Sequence, residues 1–247
     1  MAEGRFRPGA AGRYNAAMTF TFESVGVIES PYREKFGIPR QPSLAPSAPV
    51  SLRLLPPYDL PEAVRGLETF SHLWLTFVFH ATAARGWQPL VRPPRLGGNA
   101  RMGVFATRSP HRPNPIGLSL VELAGIDCNQ GVVLHLKGAD LLHGTPILDI
   151  KPYIPFVESQ PEARSGFVDG PPPTLAVRWH PAARAQAACL PPWFVPLVEE
   201  VLAQDPRPAY HDEPERVYGM LLHDRNVRFR IAGGEAEVLE IGLAGQN

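Results

Sequence analysis

The chain has 247 residues, enough to bury a sizeable core in one large domain or two small ones. Its 24 Lys and Arg balance its 24 Asp and Glu, so the whole molecule has no excess charge for non-specific polyanion binding, and any nucleic-acid surface must be a local patch. No run is long and apolar enough to span a bilayer as a helix.

Residues 1–18 carry arginines but no apolar core, which excludes a secretory signal. They are expected to form a disordered leader, with Met18 as an alternative start of translation. Residues 19–30 set Phe20, Phe22, Val25 and Val27 largely on alternate positions and predict a strand. Residues 31–49 are irregular and hold the Pro39-Arg40-Gln41 run. Alternation returns over 50–55, and 61–67 predicts a helical turn stopped near Gly66. Residues 71–79, SHLWLTFVF, predict a central strand buried on both faces. Shorter strands are expected over 102–107, 116–126, 131–137 and 145–153, with Asn129-Gln130-Gly131 as a hairpin turn.

Polar residues, glycine and proline take over at 158–173, which marks a linker between domains. Beyond it, 174–179 predicts a strand. A helix is expected over 192–203, with Phe194, Leu197, Val198, Val201 and Leu202 on its apolar face. Three strands, 217–222, 227–231 and 236–241, predict a meander that turns at Gly233-Gly234. Strands at short spacing without intervening helices give a mainly β fold, a barrel or a sandwich. Neither GxGxxG after a strand nor GxxxxGK[ST] occurs, so Rossmann and P-loop nucleotide sites are excluded.

The most informative stretch is 97–121, GGNARMGVFATRSPHRPNPIGLSLV. No Asp or Glu occurs from Thr69 to Val121, while Arg85, Arg92, Arg95, Arg101, Arg108 and Arg112 all fall there. Arginines without acidic neighbours suit an anionic ligand, because the guanidinium offers bidentate hydrogen bonds and stacks on rings. The competing reading is background composition, since Lys occurs only at Lys35, Lys137 and Lys151. Cys128 and Cys189 are far apart and are expected to be buried thiols of a reducing compartment. His72, His111 and His223 have no metal spacing, so no metal is expected. No Gly-x-Ser-x-Gly elbow marks a serine hydrolase.

The runs SPYREKFGIPRQP, VRGLETFSHLW, RPPRLGGNARMGVFATRSPHRPNPIGLSLVEL, GADLLHGTPILDIKPYIPF, AQDPRPAY and LLHDRNVRFR resemble the TrmO family, also called TsaA-like or YaeB-like. They span nearly all of the chain after Met18. The resemblance implies an S-adenosyl-L-methionine-dependent methyltransferase acting on N6 of threonylcarbamoyl-adenosine at position 37 of threonine tRNA. It also implies a single-sheet β-barrel over 19–157, a small α+β C-terminal domain over 174–247, a homodimer and a cytoplasmic location. The family's cofactor pattern falls on Pro39, Arg40, Gln41, His80, Ala81, Arg108, Leu118, Leu141, Leu142, His143 and Gly144. Arg108 or Arg40 is suited to the cofactor carboxylate. At His143 the backbone is expected to matter and not the ring.

Methylation of an adenosine N6 needs an acceptor for its hydrogens, because the nitrogen lone pair is delocalised into the ring. Asp205-Pro206-Arg207-Pro208-Ala209-Tyr210 offers an acceptor, a phosphate-binding Arg207 and an aromatic face in one loop, which makes Asp205 and Tyr210 the candidate catalytic pair. The plain alternative is that Asp-Pro only stops the preceding helix. Further tRNA contacts are expected from Arg101, Arg112, Asn226 and Arg228, and the 205–210 loop is expected to reach the partner chain's cofactor. Two other classes fit the residues: a non-catalytic RNA- or nucleotide-binding barrel, and a structural dimerisation protein.

Overall fold

A closed barrel and a four-stranded sheet joined by a strap, with a separate two-stranded ribbon, make up the architecture of the computed structural model. It describes residues 19–96, 100–168, 170–207 and 213–245; the expected leader, the paired glycines Gly97-Gly98 and Tyr210 lie outside the described residues. In chain order the strands and helices are β1 (Gly26–Glu29), β2 (Val50–Leu54), β3 (His72–Val78), α1 (His80–Ala83), β4 (Leu90–Val91), β5 (Met102–Gly103), β6 (Ile116–Asp127), β7 (Val133–Lys137), β8 (Pro146–Pro152), α2 (Pro155–Glu158), β9 (Ala176–Trp179), α3 (Pro181–Ala187), α4 (Phe194–Ala203), β10 (Val217–Leu222), β11 (Arg225–Ala232) and β12 (Glu235–Leu243). Six strands close an antiparallel barrel in the order β1-β2-β7-β6-β3-β8. Closure leaves no unpaired sheet edge.

The barrel interior is filled by alternate residues: Ile28, Leu52, Leu73, Leu75, Val121, Leu134 and Ile147 are all fully buried. β3 departs from the expectation of burial on both faces. Leu73, Leu75 and Phe77 point inward, whereas Trp74, Thr76 and Val78 are only half-buried on the outer face. A closed barrel without covering helices shields one face only. The predicted strand 19–30 shrinks to β1, because only 26–29 find partners on β2, and Phe20 and Phe22 stay exposed. Residues 102–107 pair only at Met102–Gly103 and then coil into a 3-10 turn over Val104–Ala106.

Gly117 shows how tightly β3 and β6 meet. A Cβ at this position would lie 2.2 Å from the ring of Phe77. Gly117→Ala is therefore expected to destabilise the fold by about 1–3 kcal/mol through overpacking. Urea unfolding followed by far-UV circular dichroism measures it; an unchanged midpoint would mean that the ring moves aside freely.

After 158 the second sheet runs β10-β11-β12-β9, an antiparallel meander with β9 added in parallel to β12. α4 buries the five apolar residues expected of it. α3 was not foreseen in the sequence; His180 caps it by accepting from the Ala182 N–H, and Pro181 opens its first turn. Cys128 and Cys189 are free and exposed, contrary to the expected burial, because one sits in the β6–β7 turn and the other just past α3.

Residues 31–49 form the strap between the sheets. Tyr32 bridges Leu222, the Leu221 N–H donates to Glu34 (2.8 Å), and Phe36 stacks with Tyr218 and Phe229. Gly37, at φ +87°, lies so close to Met220 that a Cβ would meet its sulfur at 2.2 Å. Gln204 Nε2 donates to the Leu44 carbonyl (2.9 Å), and Ser47 donates from its amide and its hydroxyl to Glu200 (3.0 and 2.6 Å). Pro39-Arg40-Gln41 is thus held between the barrel and the C-terminal sheet.

Candidate active site

A cluster of charged groups gathers where the strap, the barrel rim and the end of α4 meet. Arg108 Nη1 donates to Gln41 Oε1 at 2.7 Å. Behind Arg108 stands Asp140, half-buried, whose carboxylate accepts a hydrogen bond from the hydroxyl of the buried Ser119. Burial pushes the Asp140 carboxyl up, opposed by the Ser119 hydrogen bond and the charge of Arg108. Sequence reasoning missed both Asp140 and Ser119. The contact spans 21 residues of chain and pairs a strand position with a loop, and no local pattern announces that.

The C-terminal part reaches the same cluster. Arg40 Nη2 donates to the Arg207 carbonyl at 3.2 Å. Arg207 in turn grips the Asp205 carboxylate with two bonds, Nε at 2.9 Å and Nη2 at 2.8 Å. Asp205 has φ +46° and its N–H donates to the Leu202 carbonyl, so it also stops α4. Burial alone would raise the Asp205 carboxyl, but the Arg207 bonds and charge, with Arg40 beyond, outweigh it and hold Asp205 below the usual carboxylate range. Asp205 thus ends the helix and also presents its carboxylate to Arg207, with Arg40 beyond.

The remaining expected cofactor residues spread along the rim. His80 and Ala81 are exposed at the start of α1, and the Ala81 carbonyl accepts from Lys35 Nζ at 3.0 Å. Pro39 is buried. Leu118 points outward from β6 and is 56% exposed. The turn 141–144 is bound into the barrel: the Leu141 carbonyl accepts from Ser30 Oγ (2.8 Å), the His143 N–H donates to the Tyr32 carbonyl and the Gly144 N–H to Ile28. The Leu142 carbonyl accepts from Thr145. His143 lines an interdomain cleft of about 290 Å³ with Glu29, Arg33, Trp193 and His223. Burial and the charge of Arg33 keep this imidazole low, against the pull of Glu29.

The expected tRNA contacts are not gathered in one place. Arg101 is exposed before β5. Arg112 stacks over Phe105 and donates to the Thr107 carbonyl (2.7 Å), so part of its guanidinium holds its own loop. Asn226 and Arg228 stand on β11, where Arg228 pairs with Glu240 at 2.9 Å. No hydrogen bond or ion pair among the described residues links them to the Arg108 cluster. Among the described residues, no three His, Cys, Asp or Glu gather as a possible metal site, and no helix is long and apolar enough to cross a membrane.

A closed antiparallel barrel that offers arginines and a half-buried carboxylate at its rim, with an acidic loop delivered by a second sheet, defines a ligand-binding class outside the doubly wound nucleotide folds. The tRNA-methyltransferase O N-terminal domain family matches residues 27–159, and the TrmO C-terminal domain family matches residues 172–243. The chain belongs to the tRNA-methyltransferase O family. It is 52% identical over 230 residues to an Escherichia coli K12 protein called tRNA (adenine(37)-N6)-methyltransferase, covering 90% of this chain and 98% of that one. An Eikenella corrodens protein of the same name is 61% identical over 168 residues, 68% of this chain and 94% of its own. The crystal structure of TrmO from Pseudomonas aeruginosa superposes with a TM-score of 0.77 at 43% identity, over 91% of this chain and 99% of that one.

Proposed function

We propose that this protein methylates N6 of the adenosine at position 37 of tRNA, using S-adenosyl-L-methionine, with threonylcarbamoyl-adenosine in threonine tRNA as its substrate. The observation that carries the reading is the Arg40–Arg207 bond, which sets an ionised carboxylate, Asp205, beside the Gln41–Arg108–Asp140 cluster in a member of this family. The cluster fits a zwitterionic cofactor. Arg108 suits its carboxylate, Asp140 suits its ammonium, and Leu118 with the backbone of 141–144 supplies an apolar wall and carbonyl acceptors. When bound, the cofactor supplies an electrophilic methyl group on a sulfonium. The chain's own work is to align the target nitrogen and to accept a hydrogen bond from N6 through Asp205. A carboxyl held below its usual range stays ionised at neutral pH and acts as an acceptor more readily than as a base, so the N6 proton released on methylation passes to solvent water as S-adenosyl-L-homocysteine leaves. Such a displacement calls for no metal.

Tyr210 is assigned to stack the target base, and Arg101, Arg112, Arg207, Asn226 and Arg228 to contact tRNA. A homodimer is supported by apolar side chains on the outer barrel face: Trp74, Val78 and Ile116, continued by Ile154 and Phe156. A tRNA substrate implies the cytoplasm. Mass spectrometry of tRNA nucleosides after incubation with the protein tests the reading. A methyl gain at position 37 that requires S-adenosyl-L-methionine is expected; unchanged nucleosides with tight tRNA binding would favour the non-catalytic RNA-binding barrel.

The dimer's division of labour is testable too. Because Arg207 meets Arg40 of its own chain, each chain is expected to build its own site, not one completed by its partner's 205–210 loop. Mixed dimers of Arg108→Ala and Asp205→Ala chains should then stay inactive. Recovery of up to half the wild-type activity would show that the loop works across the interface.

A further inference from the structure

The excursion from β3 to β6 carries a surface that the site above does not use. β4 and β5 form a two-stranded ribbon in which Leu90 faces Gly103 and Val91 faces Met102. Backbone bonds extend it at the Leu90–Gly103 end: the Val104 N–H donates to the Pro89 carbonyl and the Gln88 N–H to the His111 carbonyl. Phe105 and Trp87 each neighbour a residue that makes one of these bonds, so their backbones lie at the same end of the ribbon. Phe105 is 76% exposed, Trp87 53% and Leu90 52%. Gly103 adds no bulk between them, and a Cβ there would meet nothing.

The charges around these rings are of one sign. Arg92 directly follows Val91 and Arg101 directly precedes Met102, so the end of the ribbon carries two exposed arginines, one on each strand's continuation. Arg85 is exposed two residues before Trp87, and the Arg112 guanidinium lies 5.8 Å from the centre of the Phe105 ring. Among the described residues, none of these four arginines is in an ion pair, while Arg53, Arg178, Arg184, Arg216, Arg228 and Arg230 all are. Large exposed aromatics usually mark a contact surface, and like charges held together without carboxylates favour an anionic partner. Unpaired bases offer π-faces and their phosphates offer the charge, whereas a duplex hides its bases from such rings.

We infer that Trp87 and Phe105 are stacking platforms for unpaired bases of an RNA loop, with Arg85, Arg92, Arg101 and Arg112 on its phosphates. This inference rests on the proposed tRNA substrate and adds the residues that would read its single-stranded loop. Binding of a synthetic RNA hairpin, and of a blunt duplex of the same length, tests it by fluorescence anisotropy on the full chain. Trp87→Ala and Phe105→Ala should each weaken hairpin binding about 5- to 150-fold and leave duplex binding little changed. Trp87→Phe and Phe105→Tyr, which keep a ring, should restore most of the affinity. RNA-dependent quenching of tryptophan fluorescence should fade in Trp87→Phe. Hairpin binding unchanged in both alanine variants, in a protein that still methylates tRNA, would overturn this inference and leave the proposed function standing. Loss of tRNA methylation by the wild type would strike the function instead. Sedimentation velocity separates the remaining occupant: if the alanine variants change the mass of the assembly and not the hairpin affinity, the rings cover a second copy of the chain and the inference fails.

Discussion

Asp205→Asn is expected to lower single-turnover methylation by roughly 100- to 1,000-fold, the worth of one preorganised electrostatic partner, while leaving S-adenosyl-L-methionine affinity nearly unchanged. The substitution keeps the left-handed backbone at the end of α4, which asparagine tolerates, so the helix still stops there. What goes is the negative charge: Arg207 loses its bidentate partner, and N6 loses an ionised acceptor. The pH profile carries the finer information. Asp205 is held low, so its contribution is present above the ordinary carboxylate range and fades only as pH falls through the depressed value. A rate that is flat through neutral pH is therefore expected of this residue. A limb near neutrality that disappears in Asp205→Asn would assign it as a proton acceptor instead. A mild effect at all pH values would leave it as a helix stop alone. Saturating tRNA and a single turnover separate chemistry from binding.

Arg108→Ala should weaken S-adenosyl-L-methionine binding by about 1.5–3 kcal/mol, the worth of one charge-assisted contact. The fold should tolerate the loss, because Arg108 is exposed and, among the described residues, its hydrogen bond goes to the Gln41 side chain. Gln41→Ala serves as the partner variant. If Gln41 acts by holding the guanidinium in place, the double variant should cost little more than Arg108→Ala alone. Calorimetric titration reads both, and unchanged affinity in Arg108→Ala would move the cofactor carboxylate to Arg40.

The sequence disclosed the parts of this molecule that repeat on a short period or form a rare local run. α4 is legible because its five apolar residues recur at helical spacing, and the structure buries all five. The meander is legible because alternation and the Gly233-Gly234 turn agree. β3 misled because a run rich in aromatics on both faces looks like a covered strand, while in a closed barrel the outer face is simply open. α3 was hidden by its brevity and its alanines, which carry no amphipathic stripe. In the candidate site, Arg40, Gln41 and Arg108 could be named from family resemblance, but not their mutual contacts. Asp140 with Ser119, and the joining of Arg207 to Arg40 across 167 residues, exist only once the chain is folded.

The strap has a consequence for the newly made chain. Leu221 lies 187 residues beyond the Glu34 carboxylate that receives its N–H, and Met220 packs over Gly37 from the same strand. Chains emerge from the ribosome N-terminus first, so the strap exists long before the strand that fixes it. Until β10 has been synthesised and docked, Phe36 lacks its stacking partners and Pro39-Arg40-Gln41 has no fixed place. Closure of the six barrel strands thus precedes the docking of the strap that runs past them. Chains released before β10 therefore keep a strap without the strand that holds it.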